Sequence, residues 1–165
     1  MRTIYLGFLL TLLSAPAFAA PIPKFDDPRA LLVAIYDQIE ASEDWENFDS
    51  DAAFNELDAF STTLHASFVA ADEALKADGQ DIGVLDFSPF INGQDSAGMD
   101  FAVGKPKIKR DRAIIAVDIT GYQPKQITFE LIDEGEKGWK IEDIILPGYD
   151  GSGPERLSDY FANPF

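Results

Sequence analysis

Three short runs in the second half of the chain decide the fold. They are RAIIAVDIT at residues 112–120, QITFELI at 126–132 and WKIEDII at 139–145. Each run alternates apolar and polar residues with a period of two, which predicts β-strands that bury one face. Turn-forming residues separate the runs, for example DEGEKG at 133–138, and such short connections predict antiparallel pairing.

The alternation also predicts which side chains share a face. These sets are Ile115, Val117 and Ile119 in the first run, Ile127, Phe129 and Leu131 in the second, and Trp139, Ile141, Asp143 and Ile145 in the third. A carboxylate on an apolar face needs a hydrogen-bonding partner or water. Asp143 is therefore expected to be either a pocket residue or a satisfied structural acid, and the pattern leaves both interpretations open.

The residues upstream of these runs complete the predicted architecture. Residues 99–109 alternate in short stretches around Gly104 and Pro106 and add one strand. Asp27 and Pro28 predict the start of a helix that ends near Ala41, because aspartate is a favoured N-cap and proline suits the first helical position. Ser61 or Thr62 is expected to cap a second helix that ends near residue 77, and residues 155–162 predict a short third one.

Helices followed by strands predict an α+β domain, in which two or three helices pack on one face of a curved four-stranded antiparallel sheet. Residues 79–97 are expected to form a long ordered loop between the two parts. Neither an internal repeat nor a domain linker is visible. We therefore expect one domain over residues 20–165.

The first 19 residues have the features of a secretory signal peptide. Arg2 supplies a positive charge, residues 4–13 are apolar, and Ala17-Phe18-Ala19 resembles a cleavage site. The apolar run is too short to span a bilayer. The chain contains no cysteine, so an attached lipid anchor is not expected. These observations predict a soluble exported protein of a bacterial periplasm, with secretion into the medium as the alternative.

The formal net charge of −16 limits the classes of partner. Such a field repels nucleic acids and anionic lipid surfaces and favours basic partners, cationic ligands or divalent metals. The basic residues concentrate in one cluster, Lys105, Lys107, Lys109, Arg110 and Arg112. We expect this cluster to pair with the chain's own carboxylates or to protect an edge strand from aggregation; an acidic partner or an anionic ligand is the alternative.

The stretch LDFSPFINGQD at residues 85–95 is the main candidate site. Its apolar side chains are expected to plug the open end of the sheet and to hold its polar ones near a pocket. The predicted binding residues are Asp86, Phe87, Phe90, Asn92, Gln94, Asp95 and Trp139. Asp86, Asp95 and Asp143 are candidate general bases, if burial raises a carboxyl pKa. The alternative is that Asp86 and Asn92 only shape turns.

No motif predicts a cofactor or a metal site. Asn92, Asp95 and Asp100 offer oxygen ligands, but their spacing does not match a calcium-binding EF-hand loop. His65 is the only histidine and is expected to be structural. No Gly-x-Ser-x-Gly motif marks a nucleophilic serine.

Two motifs, LDFSPFINGQD at 85–95 and GWKIEDI at 138–144, together with the Asp27-Pro28 helix start, resemble a group of small exported bacterial proteins known as DUF3828, within the NTF2-like superfamily. The resemblance covers nearly the whole chain after residue 19. It implies a cone-shaped α+β fold with a concave pocket, and no particular activity. That fold hosts isomerases, dehydratases and hydrolases as well as binding modules.

The leading hypothesis is a non-enzymatic binding module that uses the 85–95 loop, for instance as an inhibitor or immunity-like protein. The alternative is a small enzyme with a pocket carboxylate as general base. A third possibility is a homodimer that pairs through the outer face of the sheet.

Overall fold

The computed structural model describes residues 21–44, 46–50, 52–80, 82–148 and 152–163. Within these ranges the chain forms three α-helices and six β-strands in an α+β arrangement. They are α1 (Pro28–Ser42), α2 (Thr62–Ala77), α3 (Leu157–Ala162), β1 (Met99–Val103), β2 (Lys107–Lys109), β3 (Arg112–Gly121), β4 (Lys125–Asp133), β5 (Trp139–Leu146) and β6 (Glu155–Arg156). The predicted signal peptide, residues 1–19, lies outside the described residues.

Helices α1 and α2 begin where the sequence predicts. The Asp27 carboxylate accepts a hydrogen bond from the Arg29 N–H at 2.9 Å, and Pro28 follows this cap as the first residue of α1. The Ser61 hydroxyl accepts one from the Leu64 N–H at 3.1 Å and caps α2. Helix α3 is shorter than predicted, because residues 155 and 156 pair with β5 as a sixth strand.

The sheet is antiparallel and runs in the order β1-β3-β4-β5-β6, with β2 also paired to β3. The predicted number of four strands is therefore wrong. One predicted strand, residues 99–109, divides at Gly104 into β1 and β2. The Gly104 N–H donates to the Ala116 carbonyl at 2.9 Å, and a Cβ on Gly104 would lie 2.7 Å from that oxygen, so the approach requires glycine.

Strand β5 contains a β-bulge that the alternation did not predict. Leu131 of β4 lies opposite Ile141, whereas the preceding Glu130 lies opposite Asp143. Glu142 is therefore an extra residue with no partner in β4. A bulge of this kind reverses which side chains face each side of the sheet.

The reversal corrects the predicted face of Asp143. Trp139 faces the core before the bulge, and Ile144 faces it afterwards. Asp143 and Ile145 consequently lie on the outer face of the sheet, and the prediction that they share a face with Trp139 is wrong. For β3 and β4 the predicted inner faces are confirmed, since all six predicted side chains are buried.

Aromatic side chains connect the helices and the 85–95 loop to the inner face of the sheet. The Tyr36 ring of α1 lies 4.9 Å from that of Phe101 and 6.3 Å from that of Phe129. The Phe90 ring stacks between Phe60 and Phe129, at 6.2 and 6.3 Å. Phe90 therefore packs on the inner face of the sheet, against the middle of β4.

The segment before α1 lies against the start of β5. The Trp139 N–H donates to the Phe25 carbonyl at 2.9 Å. Gly138 has φ 73° and ψ −163°, a region that is essentially restricted to glycine. A Cβ at Gly138 would lie 2.4 Å from the Phe25 oxygen. Both its backbone conformation and this close approach therefore require glycine.

Replacing Gly138 by alanine should lower the free energy of unfolding by about 2–3 kcal/mol, because the side chain adds backbone strain and displaces Phe25. Urea unfolding measures this loss. Gly135→Ala is the matched control: Gly135 also has a positive φ, 66°, but a Cβ there meets no atom within 4 Å. Equal losses of unfolding free energy in the two variants would show that the close approach of Phe25 to the start of β5 does not contribute to stability.

Candidate functional site

Apolar residues of the 85–95 loop anchor it to the hydrophobic core. Phe90 and Ile91 are only 1% and 4% exposed. The Ser88 N–H donates to the Gly93 carbonyl at 2.8 Å, which closes the loop over these two side chains. Phe90 and Ile91 therefore anchor the loop, whereas Phe87, which was expected to join them, is half-buried.

Two side chains from other elements bind the backbone of this loop. The Tyr36 hydroxyl donates to the Phe90 carbonyl at 2.7 Å, and burial raises the pKa of this hydroxyl. The Lys125 ammonium donates to the carbonyls of Ile91 and Asn92, both at 3.1 Å. Burial lowers the pKa of Lys125. Asn92 itself is buried with φ 46°, and its amide donates to the Pro147 carbonyl at 3.3 Å.

An open pocket of about 470 Å³ lies beside the loop, at the C-terminal end of α1. Its lining residues are Ile39, Ser42, Glu43, Glu56, Ser88, Ile91, Gln94, Asp95, Ser96 and Ala97. The titratable side chains in this lining are three carboxylates, those of Glu43, Glu56 and Asp95. Within the described residues, no lysine, arginine or histidine lines the pocket, so its electrostatic potential favours cations.

Hydrogen bonds fix the polar groups around this pocket. Asp95 accepts from the Ala97 N–H at 2.9 Å, and Glu43 accepts from the Ser96 hydroxyl at 2.5 Å. The Gln94 amide donates to the Asp86 carbonyl oxygen at 3.0 Å. The bonds to Asp95 and Glu43 each leave further acceptor capacity on the carboxylate.

The predicted binding residues occupy two different environments. Phe90 and Trp139 are buried, at 1% and 7% exposure, and so support the loop and the sheet rather than offer a surface for a ligand. Phe87 is half-buried, with its ring 5.7 Å from that of Tyr160. Asp86, together with the pocket-lining Gln94 and Asp95, is exposed. Asn92 is buried and is held through both its side-chain amide and its carbonyl oxygen.

Asp143 has the structural interpretation that the sequence left open. Its Oδ1 accepts from the N–H groups of Ile144 and Ser158, at 2.9 and 3.1 Å. Its Oδ2 accepts from Arg156 Nε and the Ser158 hydroxyl, both at 2.8 Å. The residue is 4% exposed and lies on the opposite face from the 85–95 loop. Its four hydrogen bonds join β5, β6 and α3.

Tyr36 and Lys125 of this site were not identified from the sequence. Glu43 and Glu56 belong to the acid-rich residues 42–60, whose acids could bind a cation but were expected to form a solvated surface, and the structure places these two in the pocket lining. Tyr36 is buried on the face of α1 that includes Ile35, so the helical pattern could have placed it in the core. Nothing in the local sequence connects Lys125 with a loop more than 30 residues earlier.

A second pocket, of about 550 Å³, lies at the N-terminus of α2. His65 and Lys140 line it, but the anion position of the helix is already occupied by the chain's own Glu134. This carboxylate accepts from the Thr62 N–H at 2.7 Å and from its hydroxyl at 2.9 Å. Burial raises the pKa of Glu134, but the bonds from Thr62 and the Lys137 ammonium outweigh this effect and hold it below its ordinary value.

We expect Glu134 to stabilise the fold in a pH-dependent manner. Because its pKa is lower in the folded state, its contribution is fully present above the unfolded pKa of about 4.3 and is lost as pH falls through the folded value. At pH 7, Glu134→Gln should cost about 1 kcal/mol, and the difference from the unmodified chain should shrink below pH 4. Urea unfolding at several pH values measures it, with the exposed neighbour Glu136→Gln as control. A gap that stays constant down to pH 3 would contradict this assignment.

The described part of the chain holds no group of three or more His, Cys, Asp or Glu side chains placed to bind a metal ion. Nor does any helix among the described residues have the length and apolarity needed to cross a membrane. Comparison of the chain with family models, curated proteins and solved structures finds no match.

Proposed function

We propose that this chain is an exported, NTF2-like binding module that recognises a basic partner through the pocket beside the 85–95 loop. The partner is a protein segment or a small cationic ligand. The observation that carries the proposal is the pocket itself, in which Glu43, Glu56 and Asp95 surround about 470 Å³ of open space without a cation in the described lining.

The rigidity of the loop supports a binding role. A preformed site loses less conformational entropy when it binds than a mobile loop does. Phe90, Tyr36 and Lys125 hold this loop from three directions, through one buried ring and three hydrogen bonds to backbone carbonyls. The exposed side chains of Gln94 and Asp95 are consequently presented on a fixed backbone.

The carboxylates of the site favour binding over acid–base catalysis. A general base near neutral pH requires a carboxyl group whose pKa is raised by burial or by a neighbouring charge. Asp86 and Asp95 are exposed, whereas Asp143 is buried but uses both oxygens in hydrogen bonds on the other face of the sheet. None of these three carboxylates combines burial in the pocket with a free oxygen, so we do not propose the enzymatic alternative.

Export to the periplasm and the NTF2-like cone belong to the same proposal. The features of residues 1–19 support export, and the motifs at 85–95 and 138–144 support the family. The observed α+β arrangement, with a bulged antiparallel sheet beneath three helices, is compatible with a cone. In that setting the net charge of −16 would accelerate encounter with a basic partner.

A thermal-shift assay with two matched variants tests the proposal. The probes are spermidine, an oligolysine peptide and divalent cations, and an extract of periplasmic proteins serves for capture. Gln94→Ala/Asp95→Ala removes a glutamine and an aspartate from the pocket. Gln126→Ala/Asp118→Ala removes the same two residue types from the outer face of the sheet, where the two side chains bond to each other at 2.7 Å.

We expect a cationic probe at about 100 times its Kd to raise Tm by at least 5 °C, because it binds only the folded state. The pocket variant should lose this shift and the outer-face variant should keep it. Equal loss in both variants would mean that general charge, and not the pocket, attracts the probe. If no basic probe or protein binds at all, the proposed function is wrong.

A further inference from the structure

The turn from β2 into β3 forms a cationic surface on an anionic protein. Five of the chain's 13 lysine and arginine residues fall within residues 105–112, next to a single acidic residue. All five are exposed. Arg112 lies 3.7 Å from Glu142, and the other four make no salt bridge within the described part of the chain. We call residues 105–114 the basic hairpin.

Among the described residues, strand β2 pairs with β3 alone, which leaves its other edge free. All three residues of β2 are exposed. The Ala116 carbonyl accepts from Gly104, so the even-numbered residues of β3 direct their main-chain groups toward β1 and β2. Because these directions alternate along an antiparallel pair, the N–H and C=O of Ile108 point away from β3.

At two other places along the strands, outward main-chain groups have partners. On β1, Arg29 of the first helix donates to the outward Val103 carbonyl at 3.1 Å. On β5, Phe25 accepts from the Trp139 N–H, and β6 pairs with the far end of the strand. The edge at Ile108 thus differs from these in having no such cover among the described residues.

Two isoleucines of the basic hairpin are also exposed. Ile108 is 55% exposed and Ile114 is 46% exposed. Lysines alone would protect an edge strand from aggregation, and this accounts for the charges. Protection against aggregation does not explain why isoleucines are exposed on both faces of the hairpin. A partner that lies along the edge would cover Ile108 and neutralise the neighbouring cations.

We propose that the basic hairpin is a docking surface for an extended, acidic segment of a partner polypeptide, which adds as a strand along the free edge of β2. Strand addition supplies main-chain hydrogen bonds, and alternate side chains supply specificity. Carboxylates of the segment would lie beside Lys107 and Lys109. A second copy paired edge to edge would instead place lysine against lysine, which is unfavourable. This proposal is independent of the pocket beside the 85–95 loop.

A labelled ten-residue peptide of alternating glutamate and valine is the probe, with fluorescence anisotropy and backbone amide NMR as readouts. We expect saturable binding and chemical-shift changes centred on Ile108. Lys107→Gln/Lys109→Gln should weaken binding about fivefold or more. Lys24→Gln/Lys76→Gln removes the same charge elsewhere and should change it less than about twofold. Ile108→Pro keeps every charge but removes the outward N–H, and should abolish binding.

Five results would overturn the proposal. The first four are no saturable binding, equal weakening by the two lysine pairs, unchanged binding by Ile108→Pro, and tighter binding of phosphatidylglycerol vesicles than of the peptide. The vesicle result would assign the hairpin to a membrane surface. Self-association of the chain that is lost in Lys107→Gln/Lys109→Gln would assign it to a second copy and would equally overturn the proposal. Circular dichroism of each variant establishes that it is folded.

Discussion

Replacing Phe90 by alanine should lower the free energy of unfolding by about 3–5 kcal/mol, the range for removing a large buried aromatic side chain. The ring is 1% exposed and stacks between Phe60 and Phe129, so its loss leaves a cavity bounded by rigid rings. This is a large fraction of the 5–15 kcal/mol that stabilises a typical domain. Urea unfolding of the alanine variant and of the milder Phe90→Leu measures the effect.

The same substitution should loosen the 85–95 loop. Hydrogen exchange at the Ile91 amide should accelerate, because the loop loses the Phe90 ring that anchors it. The hydrogen bond from Lys125 to the Ile91 carbonyl is not removed by this substitution. Phe87→Ala is the control: this ring is half-buried with one aromatic neighbour, so its loss should cost less and leave exchange at Ile91 unchanged. Equal costs for the two variants would show that Phe90 is not the anchor of the loop.

Elements with strong local signals could be predicted from the sequence. Asp27 and Ser61 cap the two long helices as expected, and the alternation in β3 and β4 identified their inner faces correctly. In each of these the local pattern and the tertiary environment agree. Local preference then determines structure with little contribution from distant residues.

The bulge in β5 is where such reasoning failed. Inferring the face of a side chain from alternation assumes that each residue of a strand has one partner in the neighbouring strand. Glu142 has no partner in β4. An extra residue is visible only once the register against β4 is known. The error moved Asp143 to the wrong face and made a structural carboxylate look like a candidate base.

The candidate site was predicted in part for a related reason. The composition of residues 85–95 indicated an anchored loop, and Gln94 and Asp95 do line a pocket. The other side of that pocket comes from Glu43 and Glu56, which are distant in sequence. The contact of Lys125 with Ile91 joins residues that are 34 positions apart in the sequence. The periodicity of apolar residues within one element does not predict such a contact.

Replacing Asp143 by alanine should lower the free energy of unfolding by about 3 kcal/mol, because it removes a buried carboxylate that accepts four hydrogen bonds, one of them from the partly exposed Arg156. The Ile144 N–H would be left buried without its acceptor, and Ser158 would lose the bonds that fix the start of α3. Arg156 would retain Glu130. Asp143→Asn should cost less, since its amide oxygen still accepts from a main-chain N–H.

Asp118→Ala is the control, because Asp118 is an exposed aspartate on the same outer face and surface changes of this kind typically stay within about 0.5 kcal/mol. A loss near 3 kcal/mol at Asp143 would account for the buried carboxylate by structure alone. If instead Asp143→Ala is as mild as Asp118→Ala, the network stabilises little. A buried charge that contributes nothing to folding would then call for a functional explanation, and the enzymatic alternative would regain its strongest candidate base.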